Sequence, residues 1–400
     1  MSDKIYVTIN LRSEFTMKIT KNEVKAYVSE NIAEVEKILF DLCHIPAPSH
    51  HEEKRAEYCL DWFEKNGMKG AYIDEALNVI LPYQAEGSRE LSVLVAHTDT
   101  VFPDTEPMPY VDDGECIRCP GVGDDTASLA VLMLVAKFFF ANNVKTSGVL
   151  FVANSCEEGL GNLKGTRQLF KDFDGRIAKF FSFDSSNFNY ATDRCVGSHR
   201  YEVEVLTEGG HSWGRFGNKN AIAELAKIVT EIYAIELPKK EGKKVSYNVG
   251  EISGGTSVNT IAQSAKMLCE YRSDDEDLLA FMKARFEKIF SEAENEKVKV
   301  NVTKIGDRPC GKEIDAAIID KMKAVIENVI TDVTGAPVNY KSGSTDCNIP
   351  LSLGIPALCF GVYIGAGAHT REEWVRKDSL VPGLEIGIRA MVGLVSENEI

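Results

Sequence analysis

The 400-residue sequence lacks the features that mark membrane, secreted and nucleic-acid-binding proteins. It has no run approaching the roughly 18 apolar residues that a membrane-spanning helix needs. Its N-terminus has neither the apolar core nor the small-residue cleavage site of a signal peptide. Its formal net charge of −15 provides no basic surface for phosphate groups. We therefore expect a cytoplasmic protein that binds neither membranes nor nucleic acids.

The ten cysteines do not form a compact disulfide framework, because they are scattered and several lie in apolar segments. This distribution favours free thiols in a reducing compartment. Cys116 and Cys119 have CxxC spacing, but a zinc site of this type would require a second pair. A redox motif would require a helix start after a strand, which the pattern does not show. A structural or incidental pair is therefore favoured over a zinc or redox site.

A mainly parallel α/β sheet is predicted for the first half of the chain, because short apolar segments alternate there with helical patterns. Residues 1–16 precede this region, and we interpret them as an extension or as sequence before the true start. The predicted strands cover residues 91–96, 149–153 and 179–183, and the predicted helices cover residues 32–42, 52–66, 127–141 and 163–173.

The order of elements changes near residue 197 to strand, helix, strand, strand, helix, strand. This is the order of the split, ferredoxin-like unit, and a unit of roughly 110 residues can bury its own core. We therefore predict an inserted domain at 197–306, between two segments of a larger domain at 1–196 and 307–400. The elements of the insert are predicted at 201–206, 221–235, 245–252, 265–272, 276–293 and 298–305, and those of the last segment at 315–334, 356–362 and 384–395.

Polar clusters follow the predicted strands of the larger domain, at the edge where open α/β sheets place their binding sites. Five clusters have this placement or lie in glycine-rich turns beside it: His97 with Asp99, Asp124 with Asp125, Glu157 with Glu158, Asp184, and His369. Together they offer two imidazoles and at least three carboxylates. Mixed nitrogen and oxygen ligands suit a pair of zinc ions, with cobalt or manganese as alternatives.

Each cluster taken alone also has a simpler explanation. Asp99 can satisfy His97 without any metal, and an aspartate such as Asp124 at the start of a helix is usually a cap. The adjacent Glu157 and Glu158 can be a solvated pair on a loop. Alternatively, one of them binds a metal while the other moves protons.

The whole set, in this order and around a ferredoxin-like insert, resembles the M20 metallopeptidases. That family includes tripeptide aminopeptidases such as peptidase T, dipeptidases, glutamate carboxypeptidases and amino-acid deacylases. The resemblance extends from about residue 30 to the end of the chain. It implies a zinc-exopeptidase-like catalytic domain formed by the two outer segments, and an inserted lid or dimerisation domain.

The resemblance also implies two zinc ions per subunit, held by five residues: His97, Asp124, Glu158, Asp184 and His369. Asp124 would bridge the ions, with His97 and Asp184 completing one site and the remaining two ligands completing the other. Asp99 would orient His97. Glu157 would act as the general base on a water molecule between the ions.

Further residues match family positions with roles in the reaction. His211, in Gly-Gly-His-Ser, matches a histidine that stabilises the developing oxyanion, often in the partner's site; a loop histidine with a local hydrogen bond is the alternative. Asn259, Arg272 and Ser344 match substrate-binding positions, and Arg272 would bind a carboxylate. The resemblance implies a homodimer formed through the insert, with a monomer as the alternative.

Two positions bear on the kind of reaction. Many family members have Lys where this chain has Thr126, so the contacts behind Asp124 are expected to differ. Aspartate at position 184 resembles the aminopeptidases and dipeptidases of the family, and favours a peptidase of short peptides, closest in type to peptidase T. An N-acyl-amino-acid deacylase or carboxypeptidase is the alternative. A non-catalytic metal-binding protein is a remote one, because a binding module has no need for the unligated Glu157.

Overall fold

The structure, a computed structural model, describes residues 19–396. The interpretation of residues 1–16 therefore concerns a segment outside the described residues. The helices are α1 (Lys21–Cys43), α2 (Glu53–Lys65), α3 (Ser128–Asn142), α4 (Lys164–Asp172), α5 (Ala221–Tyr233), α6 (Glu276–Ala293), α7 (Ala316–Thr334), α8 (Asn348–Ser352) and α9 (Leu380–Val395). The strands are β1 (Tyr72–Ile73), β2 (Val79–Tyr83), β3 (Leu91–His97), β4 (Val111–Asp112), β5 (Cys116–Arg118), β6 (Val149–Asn154), β7 (Ile177–Ser182), β8 (Tyr190–Cys195), β9 (Gly197–Thr207), β10 (Gly210–His211), β11 (Val245–Gly254), β12 (Thr260–Ile261), β13 (Ser264–Ser273), β14 (Val298–Arg308), β15 (Asn339–Gly343), β16 (Ala357–Phe360), β17 (Gly365–Ala366) and β18 (Trp374–Arg376).

An eight-stranded sheet forms the centre of the larger part, in the order β1-β2-β6-β3-β7-β16-β8-β15. Four of its seven ladders are parallel and three are antiparallel. The central strands β3 and β6 are buried along their whole length, which explains why their sequences are continuous apolar runs rather than alternating ones. The prediction of a mostly parallel α/β sheet is confirmed, with the antiparallel ladders towards both ends.

Helices pack on both faces of this sheet. One face contributes to a large core with α1, α3, α7 and α9, and the other to a smaller core with α4 and α8. The predicted helix 32–42 is the second half of α1, which begins at a capping box: Thr20 accepts a hydrogen bond from the Glu23 main chain, and the Glu23 carboxylate accepts one from the Thr20 main chain. No helix among residues 19–396 is long and apolar enough to span a membrane.

The insert consists of an antiparallel sheet, in the order β11-β13-β9-β14, with α5 and α6 packed on it. This order is that of the predicted split, ferredoxin-like unit. Side chains of both helices and of the sheet form a core separate from those of the larger sheet. The outer strand β14 continues to Arg308, two residues past the predicted boundary.

A small antiparallel sheet, β17-β18-β5-β4, was not predicted, because its strands are only two or three residues long. It supports the loop between β17 and β18, which carries His369. Cys116 lies in β5 and Cys119 follows it, and both thiols are free, as are the other eight. The described residues therefore contain no disulfide, as the scattered cysteines suggested.

Candidate metal centre and active site

His97 and Asp99 lie at the C-terminal end of β3 and are both buried. The Nε2 atom of His97 lies 3.1 Å from Oδ1 of Asp124. Its Nδ1 atom lies 3.0 Å from the main-chain oxygen of Asp99 and 3.4 Å from the Asp99 carboxylate. Nδ1 thus donates to Asp99, chiefly to its carbonyl group, and this tautomer leaves Nε2 available as a metal ligand.

The Asp99 carboxylate also holds the loop that follows β6. Its two oxygens accept hydrogen bonds from the main-chain nitrogens of Glu157 and Glu158, each at 3.0 Å. The Ser49 hydroxyl donates a third at 2.6 Å. Burial alone would raise the pKa of Asp99, but His97 and these donors bring it below its ordinary value. One buried carboxylate therefore fixes His97 and the two glutamates relative to each other.

Asp124 lies in an irregular turn, residues 122–127, before α3. Its Oδ1 atom faces His97 Nε2, and its Oδ2 atom lies 3.2 Å from His369 Nε2. Facing one histidine with each oxygen is the arrangement that a bridging carboxylate requires. The capping alternative does not apply to it, because α3 begins after Ala127 without a side-chain cap. The neighbouring Asp125 accepts a hydrogen bond from the main-chain nitrogen of His97 at 3.0 Å.

The remaining candidate ligands lie on three different loops at the same edge of the sheet. His369 Nε2 is 3.1 Å from Oε1 of Glu158. Burial raises the pKa of Glu158 to about 7. The hydrogen bond with His369 opposes this rise, and the charge of Asp124 adds to it. Asp184 follows β7, and burial together with the nearby Asp124 and Asp125 raises its pKa well above the usual range. Such crowded carboxyl groups favour a bound cation, which would stabilise their charged forms.

Ligand atoms of these residues fall into three groups, each within 4.8 Å. One group is His97, Asp124 and Asp184, and a second is Asp124, Glu158 and His369. These two are the ligand sets that the resemblance implies, and they share Asp124. The third group joins His97 to Glu157 and Glu158. Of these five residues, His97 and Glu158 are buried, the two aspartates are partly buried and His369 is exposed. Two imidazoles and three carboxylates are a donor set that fits a pair of zinc ions.

Arg308 contacts Glu157 and was missed in the sequence. Its Nη1 atom lies 3.0 Å from Oε1 of Glu157 and 3.1 Å from Oγ of Ser344, and its Nη2 atom donates to the Glu157 main-chain oxygen. The arginine is 4% exposed. It therefore fixes both the carboxylate and the backbone of Glu157. No local signal indicates this contact, because the two residues are 151 positions apart.

Glu373 holds the turn that carries Asp124 and was also missed. Its buried carboxylate accepts hydrogen bonds from the main-chain nitrogens of Gly121 at 2.6 Å, Gly123 at 2.9 Å and Asp124 at 2.8 Å. A Cβ atom on Gly123 would lie 2.8 Å from the Tyr363 hydroxyl and 2.9 Å from the Glu373 carboxylate, so the turn requires glycine there. Glu373 thus links the turn that carries Asp124 to the segment that follows His369.

Thr126, where the resemblance led us to expect different contacts behind Asp124, hydrogen-bonds to a buried arginine. Arg55, on α2, donates from Nη1 to the Thr126 hydroxyl at 3.2 Å and to the Thr98 main-chain oxygen at 3.0 Å. Its other nitrogens donate to two further carbonyl groups. Arg55 therefore places a buried positive charge beside Thr126, in the turn that also carries Asp124. Arg55 shares the buried face of α2 with Cys59 at helical spacing, a signal that sequence analysis could have used.

A cavity of about 520 Å³ lies between the candidate metal ligands and the sheet of the insert. Arg272 and Ser344, two of the predicted substrate-binding residues, line it, but Asn259 and His211 do not. The latter two lie beside each other on the exposed side of the insert, where the Ser212 main chain donates to the Asn259 carbonyl group at 2.9 Å.

His211 has a defined hydrogen-bonding state on this surface. Its Nδ1 atom accepts from the main-chain nitrogens of Trp213 at 3.2 Å and Gly214 at 3.3 Å. Nε2 must then carry the proton, and it is available as a donor. The local hydrogen bonds expected of a loop histidine are present, and so is a free N–H group.

Comparison with known proteins connects this geometry to one family. The model of peptidase family M20/M25/M40 matches residues 93–393. The chain is 23% identical over 341 residues to a succinyl-diaminopimelate desuccinylase of Corynebacterium glutamicum, covering 83% of this chain and 89% of that protein. It is 25% identical over 310 residues to a cytosol non-specific dipeptidase of Escherichia coli, covering 66% of this chain and 58% of that protein. A tripeptidase structure from Staphylococcus aureus has the same fold, with a TM-score of 0.70 at 21% identity, over 90% of this chain and 98% of that one.

Proposed function

The chain belongs to peptidase family M20/M25/M40 and is a hydrolase, and from this premise we propose that it is a di-zinc peptidase of short peptides. The observation that carries the proposal is the pair of ligand groups sharing Asp124. The aspartate at position 184 supports a peptidase closest in type to peptidase T. We propose a cytoplasmic location as well, since the Escherichia coli relative is a cytosol dipeptidase.

The roles of the residues follow from their positions. Two bound zinc ions would polarise the scissile carbonyl group and lower the pKa of a water molecule. Glu157, held by Arg308, would accept a proton from the attacking water molecule and deliver it to the leaving amine. Asp99 holds Glu157 and the proposed ligand His97 in fixed positions relative to each other. Each of these steps depends on groups that the fold fixes before the substrate arrives, which lowers the cost of reorganisation.

A second candidate function is the hydrolysis of N-acyl amino acids or of C-terminal residues. Arg272 lines the cavity and offers a guanidinium group to a carboxylate. The Corynebacterium glutamicum relative, a desuccinylase, supports the same candidate. The metal ligands and Glu157 would serve both reactions equally, so the choice depends on which end of the substrate the cavity recognises.

One experiment separates these functions. The purified protein, loaded with zinc, is incubated with tripeptides, dipeptides and N-acyl amino acids, with and without a chelator. Chelator-sensitive cleavage of peptides with free amines, and not of their N-acetylated forms, is the result we expect. Cleavage of N-acylated substrates alone would establish the second candidate. No cleavage of any compound by protein that holds two zinc ions would overturn both.

We further propose that the inserted domain, residues 197–306, forms a homodimer that brings His211 to the partner's site. Trp213 is 88% exposed, Phe216 is 92% exposed, and Val258 is fully exposed beside them. Exposed apolar side chains gathered in this way are typical of an interface. The N–H group of His211 is suited to stabilise an oxyanion, but it lies outside the cavity of its own chain.

The dimer is tested by measuring molar mass in solution by light scattering. The wild-type protein should be a dimer, and the double variant Trp213→Ser/Phe216→Ser should be a monomer with a lower kcat and an intact metal content. Replacement of the exposed Tyr72, which lies on the larger domain, is the matched control. A fully active wild-type monomer would refute this arrangement.

A further inference from the structure

Three arginines line the part of the cavity that adjoins the insert: Arg200, Arg272 and Arg308. Arg200 lies on β9 and pairs directly with Glu270 of β13, and Arg272 is two residues further along the same strand. Directly paired residues, and alternate residues of one strand, share a face of the sheet. The side chains of Arg200, Glu270 and Arg272 therefore point to the same side. Arg200 belongs to none of the motifs through which the sequence resembles its family.

Glu270 is shared between two of these arginines. Its Oε1 atom accepts from Nε of Arg272 at 2.7 Å, and its Oε2 atom accepts from Nη2 of Arg272 at 3.0 Å and from Nε of Arg200 at 3.1 Å. Arg200 Nη1 donates to the carbonyl oxygen of Gly159. Among residues 19–396, Nη2 of Arg200 and Nη1 of Arg272 have no hydrogen-bond partner. Both guanidinium groups therefore retain donors that can bind a ligand.

The charges around these donors do not balance. Arg200 and Arg272 share a single carboxylate, that of Glu270, whereas Arg308 is paired with Glu157 and lies near Asp346 and Glu158. Arg200 has a side chain that is only 18% exposed, and burial, followed by the proximity of Arg308, lowers its pKa. Partly desolvated cations in excess are stabilised by an anion that enters the cavity.

Arg200 also contacts the loop that follows β6, which carries Glu157 and Glu158. Gly159, whose carbonyl group it contacts, directly follows Glu158 in the chain. An anion held by Arg200 would therefore lie at a fixed distance from the base Glu157 and the metal ligands. Such a contact can influence the rate of reaction as well as the affinity, because it orients the substrate at the reacting bond.

We propose that Arg200, paired with Glu270, selects substrates that carry a second carboxylate in addition to the one that Arg272 would bind. This inference rests on the proposed function. The second carboxylate belongs either to an acidic residue on the leaving side of the scissile bond or to one on the acyl side. Arg200 is thus a residue that determines specificity for acidic substrates.

The test compares substrates that differ in a single charge. For the zinc-loaded protein, kcat/KM is measured for Ala-Glu against Ala-Gln, for Glu-Ala against Gln-Ala, and for N-acetyl-Glu against N-acetyl-Gln. In one arm the acidic substrate should be preferred by about 10- to 100-fold, the effect expected of a charge-assisted hydrogen bond. The arm that shows the preference identifies the side on which the second carboxylate lies.

Variants connect the preference to Arg200. Arg200→Gln should bring the ratio of the two kcat/KM values close to one, and Arg200→Lys should retain part of it. Arg285→Gln, which removes a positive charge from the exposed face of α6, is the matched control and should retain the full ratio. A merely structural role of Arg200 would lower both kcat/KM values together and leave their ratio intact.

The result that would overturn the inference is a ratio near one in every arm for the wild-type protein, or a ratio unaltered by Arg200→Gln. Calorimetric binding of free glutamate and glutamine provides a readout without turnover. If no substrate is cleaved, the proposed function fails, but glutamate should still bind more tightly than glutamine, and only while Arg200 is present. Equal binding of the two amino acids would refute the inference in that case.

Discussion

Replacement of Glu373 tests whether the turn that carries Asp124 is held in place from outside the ligand set. The Glu373 carboxylate accepts three main-chain hydrogen bonds, at 2.6, 2.9 and 2.8 Å. In Glu373→Gln one accepting oxygen becomes an amide donor that faces another donor, so at least one bond is lost. A hydrogen bond to a charged group contributes about 1.5–3 kcal/mol to the free energy of unfolding, so we expect a loss in that range.

The same variant should bind metal more weakly, because Asp124, the proposed bridging ligand, loses its fixed position. Outer-shell partners of metal ligands typically contribute 10- to 100-fold to affinity, so a weakening of about this size is expected. Zinc affinity is measured by competition with a chelator at about pH 8, where Glu373 is charged, since burial raises its pKa to about 7. Urea unfolding of the metal-free protein gives the loss of stability.

Glu372→Gln is the matched control for this experiment, because Glu372 is adjacent in the chain but exposed. It removes the same charge without touching the turn, and it should leave zinc affinity and stability within error of the wild type. If Glu373→Gln behaves like Glu372→Gln in both measurements, the turn is held by other contacts and the reasoning is wrong.

Three further predictions concern other parts of the site. Arg55→Leu removes the donors that satisfy buried carbonyl groups, and it should lower the free energy of unfolding in urea by at least about 2 kcal/mol. Adding Thr126→Lys should restore part of this loss, because a lysine there would again provide a cationic donor beside the turn. No recovery would refute the idea that a lysine at position 126 can replace Arg55. Burial, followed by the charge of Glu157, raises the pKa of Asp346 to about 7, so its contribution to stability is complete below the pKa of the unfolded chain and is lost as the pH rises through about 7. Asp346→Asn should therefore gain stability relative to the wild type between about pH 4 and pH 7, and parallel pH curves would contradict this. His211→Ala should lower kcat with the metal content intact, whereas an unaltered kcat would make it a structural residue.

The sequence predicted those parts of the fold whose signal is local. The apolar runs of β3 and β6 are buried strands, and the polar residues that follow them meet at one edge of the sheet. The parallel arrangement of the strands brings these ends together, so clusters far apart in the chain could be expected in one site. The strand order of the insert followed in the same way from its pattern of elements.

The contacts that position the site could not be predicted, because they join residues without any periodic relation. Arg308 reaches Glu157 across 151 positions, and Glu373 reaches Gly121 across 252. The short strands of the small sheet, such as β17 and β18, are too brief to show alternation. Arg55 is an intermediate case, since a charge on the buried face of a helix requires partners, but the sequence does not say which.

The most direct test of the central claim is the bound metal of Glu157→Gln, measured beside its turnover. Glu157 lies in the loop that follows β6, beside the candidate ligand Glu158, but is proposed to act as a base rather than as a ligand. We therefore expect about two zinc ions per chain, as in the wild-type protein, with kcat reduced at least about 100-fold. Near-normal turnover would contradict its role as the base, and the loss of one ion would show that Glu157 is a ligand instead.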